Sequence, residues 1–166
     1  MNYLKVGIGF LIAFLMQNSF INLFSIDGHT PNLLLAMVLT LSFVYETEVY
    51  GIAFGAAFGV LYDICWSGVV GPTPIALVVV SFLILFEREY VNRDNRLIAC
   101  CSFAIAVFLF YSLYWCLQSI AENTVGYWHS IVLISGSGVY TIAVTIILFL
   151  LLLRFDKKLN RDRVFK

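Results

Sequence analysis

Between Gly51 and Pro74 the chain reads GIAFGAAFGVLYDICWSGVVGPTP, with Gly51, Gly55 and Gly59 four residues apart and Asp63 next in the series. On a helix, residues four apart lie nearly above one another. The series drifts by about 40° per step, so the four positions form one slanting stripe. Glycines on such a stripe let a second helix approach closely, as small-xxx-small spacing does between helices in lipid. The stripe therefore either packs inside a bundle or docks a partner's helix. A carboxylate closing it, in so apolar a segment, is costly unless it meets a partner. Ser67-Gly68-Val69-Val70-Gly71-Pro72 follows and reads as a turn.

A stripe of this kind has meaning only if its surroundings are apolar, and they are. The 166 residues are 61% hydrophobic and 12% charged, whereas a soluble domain is nearer half apolar and a quarter charged. The composition predicts an all-α membrane protein, a single transmembrane domain over residues 1–166. Four cysteines, Cys65, Cys100, Cys101 and Cys116, show no CxxC or Cys/His spacing, so no metal site is indicated. They read as small apolar residues. A Cys65–Cys116 pair near one membrane face is left open.

Six spans are predicted, at about 4–24, 31–45, 49–66, 74–86, 97–120 and 130–153. The first has Lys5 before an apolar run, as a signal peptide does, but Gln17-Asn18-Ser19 replaces a small-x-small cleavage site, so it reads as retained. Gln17, Asn18 and Asn22 make its far half polar. Thr30-Pro31 opens the second span, Thr as cap and Pro at the first helical position. That span is short: 14 residues from Asn32 to Tyr45 give about 21 Å of helix against a core of about 30 Å. Either tilted partners cover its ends or its Pro31 end lies within the protein. Thr73-Pro74 repeats the opening at the fourth span, a weak sign of an internal repeat. Ser135-Gly136-Ser137-Gly138 in the sixth is a further close-approach or kinking point.

Charge sets the orientation. With the N-terminus inside, the inner segments are 1–3, 46–48, 87–96 and 154–166, and all ten basic residues fall there or, for Lys5, within snorkelling reach. The outer segments 25–30, 67–72 and 121–129 contain no Lys or Arg, as the positive-inside rule requires. Both termini are thus cytoplasmic. The basic residues set topology and form no aromatic-interleaved face for nucleic acid.

Little here promises catalysis. His29 and His129, in outer loops, lack carboxylate neighbours at ligand spacing, and no HExxH, Ser/Lys pair, GxSxG or P-loop occurs. The chain reads as a non-enzyme with no cofactor. Asp63 is the one acid well inside a span. It is either a proton relay or ion site, or a cap on the start of the fourth span, where the helix dipole favours an anion. Asp63 lies fifteen residues beyond Glu48, about 22 Å along a helix and so towards the outer boundary of the core, which favours the cap.

The features just described resemble the MreD family of bacterial rod-shape-determining membrane proteins. The resemblance lies in Pro31-Asn32-Leu33-Leu34-Leu35 opening the second span, then Gly55-Ala56-Ala57-Phe58-Gly59-Val60-Leu61-Tyr62-Asp63-Ile64, then a short glycine-containing turn and a further apolar span. It covers the whole chain in layout, and its specific part is residues 31–77. It implies an inner-membrane subunit of the cell-elongation machinery that works with MreC, the actin-like MreB filament, RodA and its partner transpeptidase in lateral peptidoglycan synthesis. It also implies a compact six-helix fold like that of the substrate-binding subunits of energy-coupling-factor vitamin transporters. Gly51, Gly55, Gly59 and Asp63 are then expected to serve helix packing or partner contact. Pro31, Gly68, Gly71 and Pro74 are expected to shape the outer turn and the helix starts.

Two functions from different classes stand: a membrane scaffold, and a vitamin-binding subunit of an uptake transporter. The second needs an outward polar pocket, which Gln17, Asn18, Asn22, Gln118 and Asn123 are placed to line. It also usually carries Ala-x-x-x-Ala in the first span, where this chain has only Ala13; its one such motif, Ala53 and Ala57, is in the third. The scaffold is the favoured reading.

Overall fold

The computed structural model describes residues 3–19, 29–44, 49–90, 96–122 and 127–164. Six helices follow one another: α1 (Tyr3–Ser19), α2 (Leu33–Val44), α3 (Val49–Trp66), α4 (Pro72–Tyr90), α5 (Arg96–Glu122) and α6 (Tyr127–Val164). Among the described residues there is no strand, and the chain is all-α. Two segments, Leu97–Ala121 and Ser135–Arg154, are long and apolar enough to cross a membrane. Leu4–Gln17, Leu33–Val44, Gly51–Trp66 and Pro72–Glu87 are shorter apolar helices. The expected end of the first span at Phe24, Asn22, the Glu46–Glu48 return, residues 91–95 and Asn123 lie outside the described residues, as do the side chains of Asn18 and His129.

The centre of the fold is α2. No residue of α2 is exposed, and nine of its twelve are buried. It touches each of the other five helices. A helix that is apolar all round has no side to show water, so it belongs where partners surround it. Around it α1 packs on α3, α3 on α4, α4 on α5 and α5 on α6. Exposed large apolar side chains occur on every helix except α2, for instance Ile8, Leu61, Phe82, Phe108 and Ile147.

Aromatic packing ties the ring to its centre. Phe43 of α2, Phe103 of α5 and Phe149 of α6 meet edge to face, with centroids 5.2–5.6 Å apart. Phe10 and Phe14 of α1 stack or tilt against Phe54, Phe58 and Trp66 of α3. The buried hydroxyls of Thr40, Ser81 and Thr145 donate to the carbonyl oxygen four residues back in their own helices. That bond satisfies a polar side chain without a partner from outside the helix.

Two helix starts differ from expectation. α2 begins at Leu33, and Asn32 rather than Thr30 is its cap: Asn32 Oδ1 accepts the Leu35 amide at 2.9 Å, and the Asn32 carbonyl accepts the Ala36 amide at 3.1 Å. Asn has the side-chain oxygen at the right reach, whereas Thr30 stands two residues too early. α4 begins at Pro72 rather than Pro74, since the Gly71 carbonyl accepts the Ile75 amide at 3.2 Å. Both prolines therefore occupy the first turn, where a missing N–H costs no helical bond. Ser135–Gly138 does not interrupt α6. It is a close approach, since a Cβ on Gly136 would lie 2.5 Å from the His29 ring. All four cysteines are free, with Cys65 and Cys116 both exposed.

Candidate functional site

The glycine stripe of α3 faces inward. Gly51, Gly55, Gly59 and Asp63 are all buried, while Ala53 and Ala57 are exposed. A Cβ on Gly51 would collide with the Ser42 side chain of α2. One on Gly55 would lie 2.9 Å from Val38 Cγ2 of α2 and 3.9 Å from Leu77 Cβ of α4. One on Gly59 would lie 2.9 Å from Pro74 Cα and 3.0 Å from Pro74 N. The absence of three side chains is thus what lets α2 and α4 close onto α3.

Asp63, fully buried, ends the stripe at the start of α4. Its Oδ2 accepts the Gly71 amide at 2.8 Å and the Thr73 amide at 3.1 Å. Pro72 and Pro74 have no amide proton, so this oxygen takes the N–H groups left over at the first turn. The negative group also sits where the helix dipole is positive. Gly71 has φ +129°, a conformation open to glycine and strained for other residues. Gly68 is exposed in the turn. Asp63 Oδ1 and Thr73 Oγ1 are buried with no hydrogen-bond partner among the described residues.

A second polar cluster surrounds the start of α2. Pro31 is buried, and its carbonyl accepts from Gln17 Nε2 at 3.2 Å. Gln17 Oε1 accepts the Leu33 amide at 2.6 Å, so one side chain of α1 serves both chain directions at this helix end. The Asn32 amide donates to Thr141 Oγ1 at 2.9 Å. Thr141 in turn donates to the Ser137 carbonyl at 2.7 Å. A hydroxyl has one proton, so in the 3.1 Å contact with Tyr111 the phenol donates and Thr141 accepts.

α2 spans twelve residues, about 18 Å. A chamber of about 150 Å³, partly open, remains beyond Asn32. Its wall combines Gln17, Thr30, Thr73 and Ser137 with the aromatic rings of Tyr62, Phe110, Tyr111 and Tyr114. Phe110 and Tyr114 are stacked at 6.1 Å, and Tyr111 stands edge-on to Phe110 at 5.4 Å.

Of the residues foreseen for an outer pocket, Gln17 lines the chamber. Gln118 does not, and Asn22 and Asn123 are outside the described residues. The tyrosines, Asn32, Thr73 and Thr141 went unrecognised as site residues. The available signal was a few hydroxyls and phenols scattered singly through apolar helices, with no fixed spacing between them.

Fold and site together define an all-helical protein of apolar helices with a cluster of polar side chains around the start of α2. No protein-family model, curated protein or solved structure matches this chain.

Proposed function

We propose that this chain is a multi-pass protein of the bacterial inner membrane that scaffolds cell elongation, as its MreD-like residues imply. On this reading it has six spans with both termini cytoplasmic, is not an enzyme, and works beside MreC, MreB, RodA and the partner transpeptidase. The observation that carries the reading is what the motif of residues 31–77 does. Pro31 anchors the buried start of α2, Gly51, Gly55 and Gly59 admit α2 and α4, and Asp63 closes the first turn of α4. These residues are engaged in building a rigid bundle, which is what a scaffold requires. The two long helices have the length and apolarity to span; on this reading the four shorter apolar helices cross beside them, α2 enclosed by the rest.

The uptake-subunit reading has one observation in its favour, the outer chamber. At about 150 Å³ it is well under the roughly 300–1,000 Å³ typical of small-molecule sites. The Ala53/Ala57 pair is exposed, but on α3.

Purification in mild detergent separates the two. The scaffold reading expects MreC and other elongation proteins to be recovered with the tagged chain; recovery of an ATPase module and a bound vitamin instead would overturn it. Topology gives an independent check. A single cysteine at position 92, in a chain stripped of its native cysteines, should react with a membrane-impermeant reagent only after the cells are opened. Labelling from outside intact cells would exclude the six-span arrangement.

A further inference from the structure

We propose that the chamber beyond the start of α2 is a binding site for a small organic ammonium group. The proposal goes beyond the scaffold reading and does not depend on it. It rests on how the chamber's wall is built. Four aromatic rings, Tyr62, Phe110, Tyr111 and Tyr114, contribute to it. Aromatic faces carry negative potential and attract cations, and cages of such rings recognise alkylammonium groups. The Tyr111 phenol spends its proton on Thr141, so it presents the remaining lone pairs of its oxygen as acceptors. Thr73, 2% exposed, lines the chamber with a hydroxyl that has no partner among the described residues.

Charge points the same way. Among the described residues that line the chamber there is no Lys or Arg, and the outer segments of the sequence contain none. A negative charge stands next to the wall: Asp63 follows Tyr62 in the chain and accepts the Thr73 amide. An anion would face aromatic rings with no counter-charge among the described lining residues. A cavity of about 150 Å³ takes a guest of roughly benzene size, and a trimethylammonium or ethanolammonium group is of that order. Such a group reaches this end of the bundle from two sources, the headgroup of an aminophospholipid or a soluble amine.

The test uses the full chain in neutral detergent, titrated with choline and with its uncharged isostere dimethylbutanol. Fluorescence is one readout, since Trp66 lies against Tyr62 with centroids 5.5 Å apart; saturation-transfer NMR is another. Choline should bind at least about tenfold more tightly than the isostere. Tyr114→Leu should weaken choline by about tenfold, and Tyr62→Leu serves in its place if the first variant fails to fold. Nanodiscs of mixed phosphatidylethanolamine and phosphatidylglycerol then identify the source by native mass spectrometry. Retained phosphatidylethanolamine that choline displaces assigns the lipid headgroup; choline binding with neither lipid retained assigns a soluble amine. Equal binding of choline and the isostere, or no saturable response to choline, would overturn the proposal.

Discussion

Gly59→Ala is expected to destabilise the folded chain by about 2–3 kcal/mol, and Gly59→Leu to abolish folded yield. Even one added methyl would lie 2.9 Å from Pro74 Cα and 3.0 Å from Pro74 N. Both are backbone atoms in the first turn of α4, which the Asp63 carboxylate holds to the end of α3. Neither can rotate away, so relief would need α3 and α4 to part. The other stripe glycines give a graded series. At Gly51 the obstacle is the Ser42 side chain, which has other rotamers, so alanine there should cost less. At Gly55 it is Val38 Cγ2 at 2.9 Å, a stiff β-branched side chain and an intermediate case. Ala57→Leu, on an exposed position of the same helix, should be tolerated. Folded yield and thermal unfolding in detergent give the ranking. Similar behaviour of Gly59→Leu and Ala57→Leu would contradict the close α3–α4 contact.

Asp63→Leu should cost about 2–5 kcal/mol. The substitution leaves two amides, Gly71 and Thr73, without their acceptor, at about 1–3 kcal/mol for each that is buried. Asp63→Asn keeps an oxygen where Oδ2 stands and loses the negative charge at a helix N-terminus, an interaction of about 0.3–2 kcal/mol. The asparagine variant should therefore stay folded with a modest drop in thermal stability, and the leucine variant should fall far below it. A leucine variant as stable as the wild type would remove the cap from the account.

The sequence shows these two features because both are local. Four-residue spacing marks a helix face whatever surrounds it, and the bounds of α3 read from the sequence, 49–66, agree with Val49–Trp66. The central place of α2 was not legible in the same way. In a chain this apolar, a side chain turned outward and one turned inward look alike, so Leu34 in the core and Leu61 on the outside carry the same signal. The short length of α2 was visible, but the chamber beyond its start needs five other helices in place. Tyr62, Tyr111 and Ser137 meet there from α3, α5 and α6, with no periodicity linking them. The Thr30-Pro31 signature misled at the start of α2 because the cap is decided by which oxygen reaches the Leu35 amide, and Asn32 is nearer.

The proposal that this chain scaffolds bacterial cell elongation is tested most directly by the shape of its cells, with each variant supplied as the only copy and its membrane level checked by immunoblot. The account predicts rods with the wild-type chain and with Asp63→Asn, and rounded cells with Asp63→Leu or with no copy. A structural acceptor can be replaced by an amide, whereas a proton relay cannot, since asparagine has no proton to release. Rounding with Asp63→Asn and Asp63→Leu alike, at normal protein level, would contradict the structural role of Asp63 and reopen an ion-coupled function. Rods in cells with no copy at all would contradict the role in elongation itself.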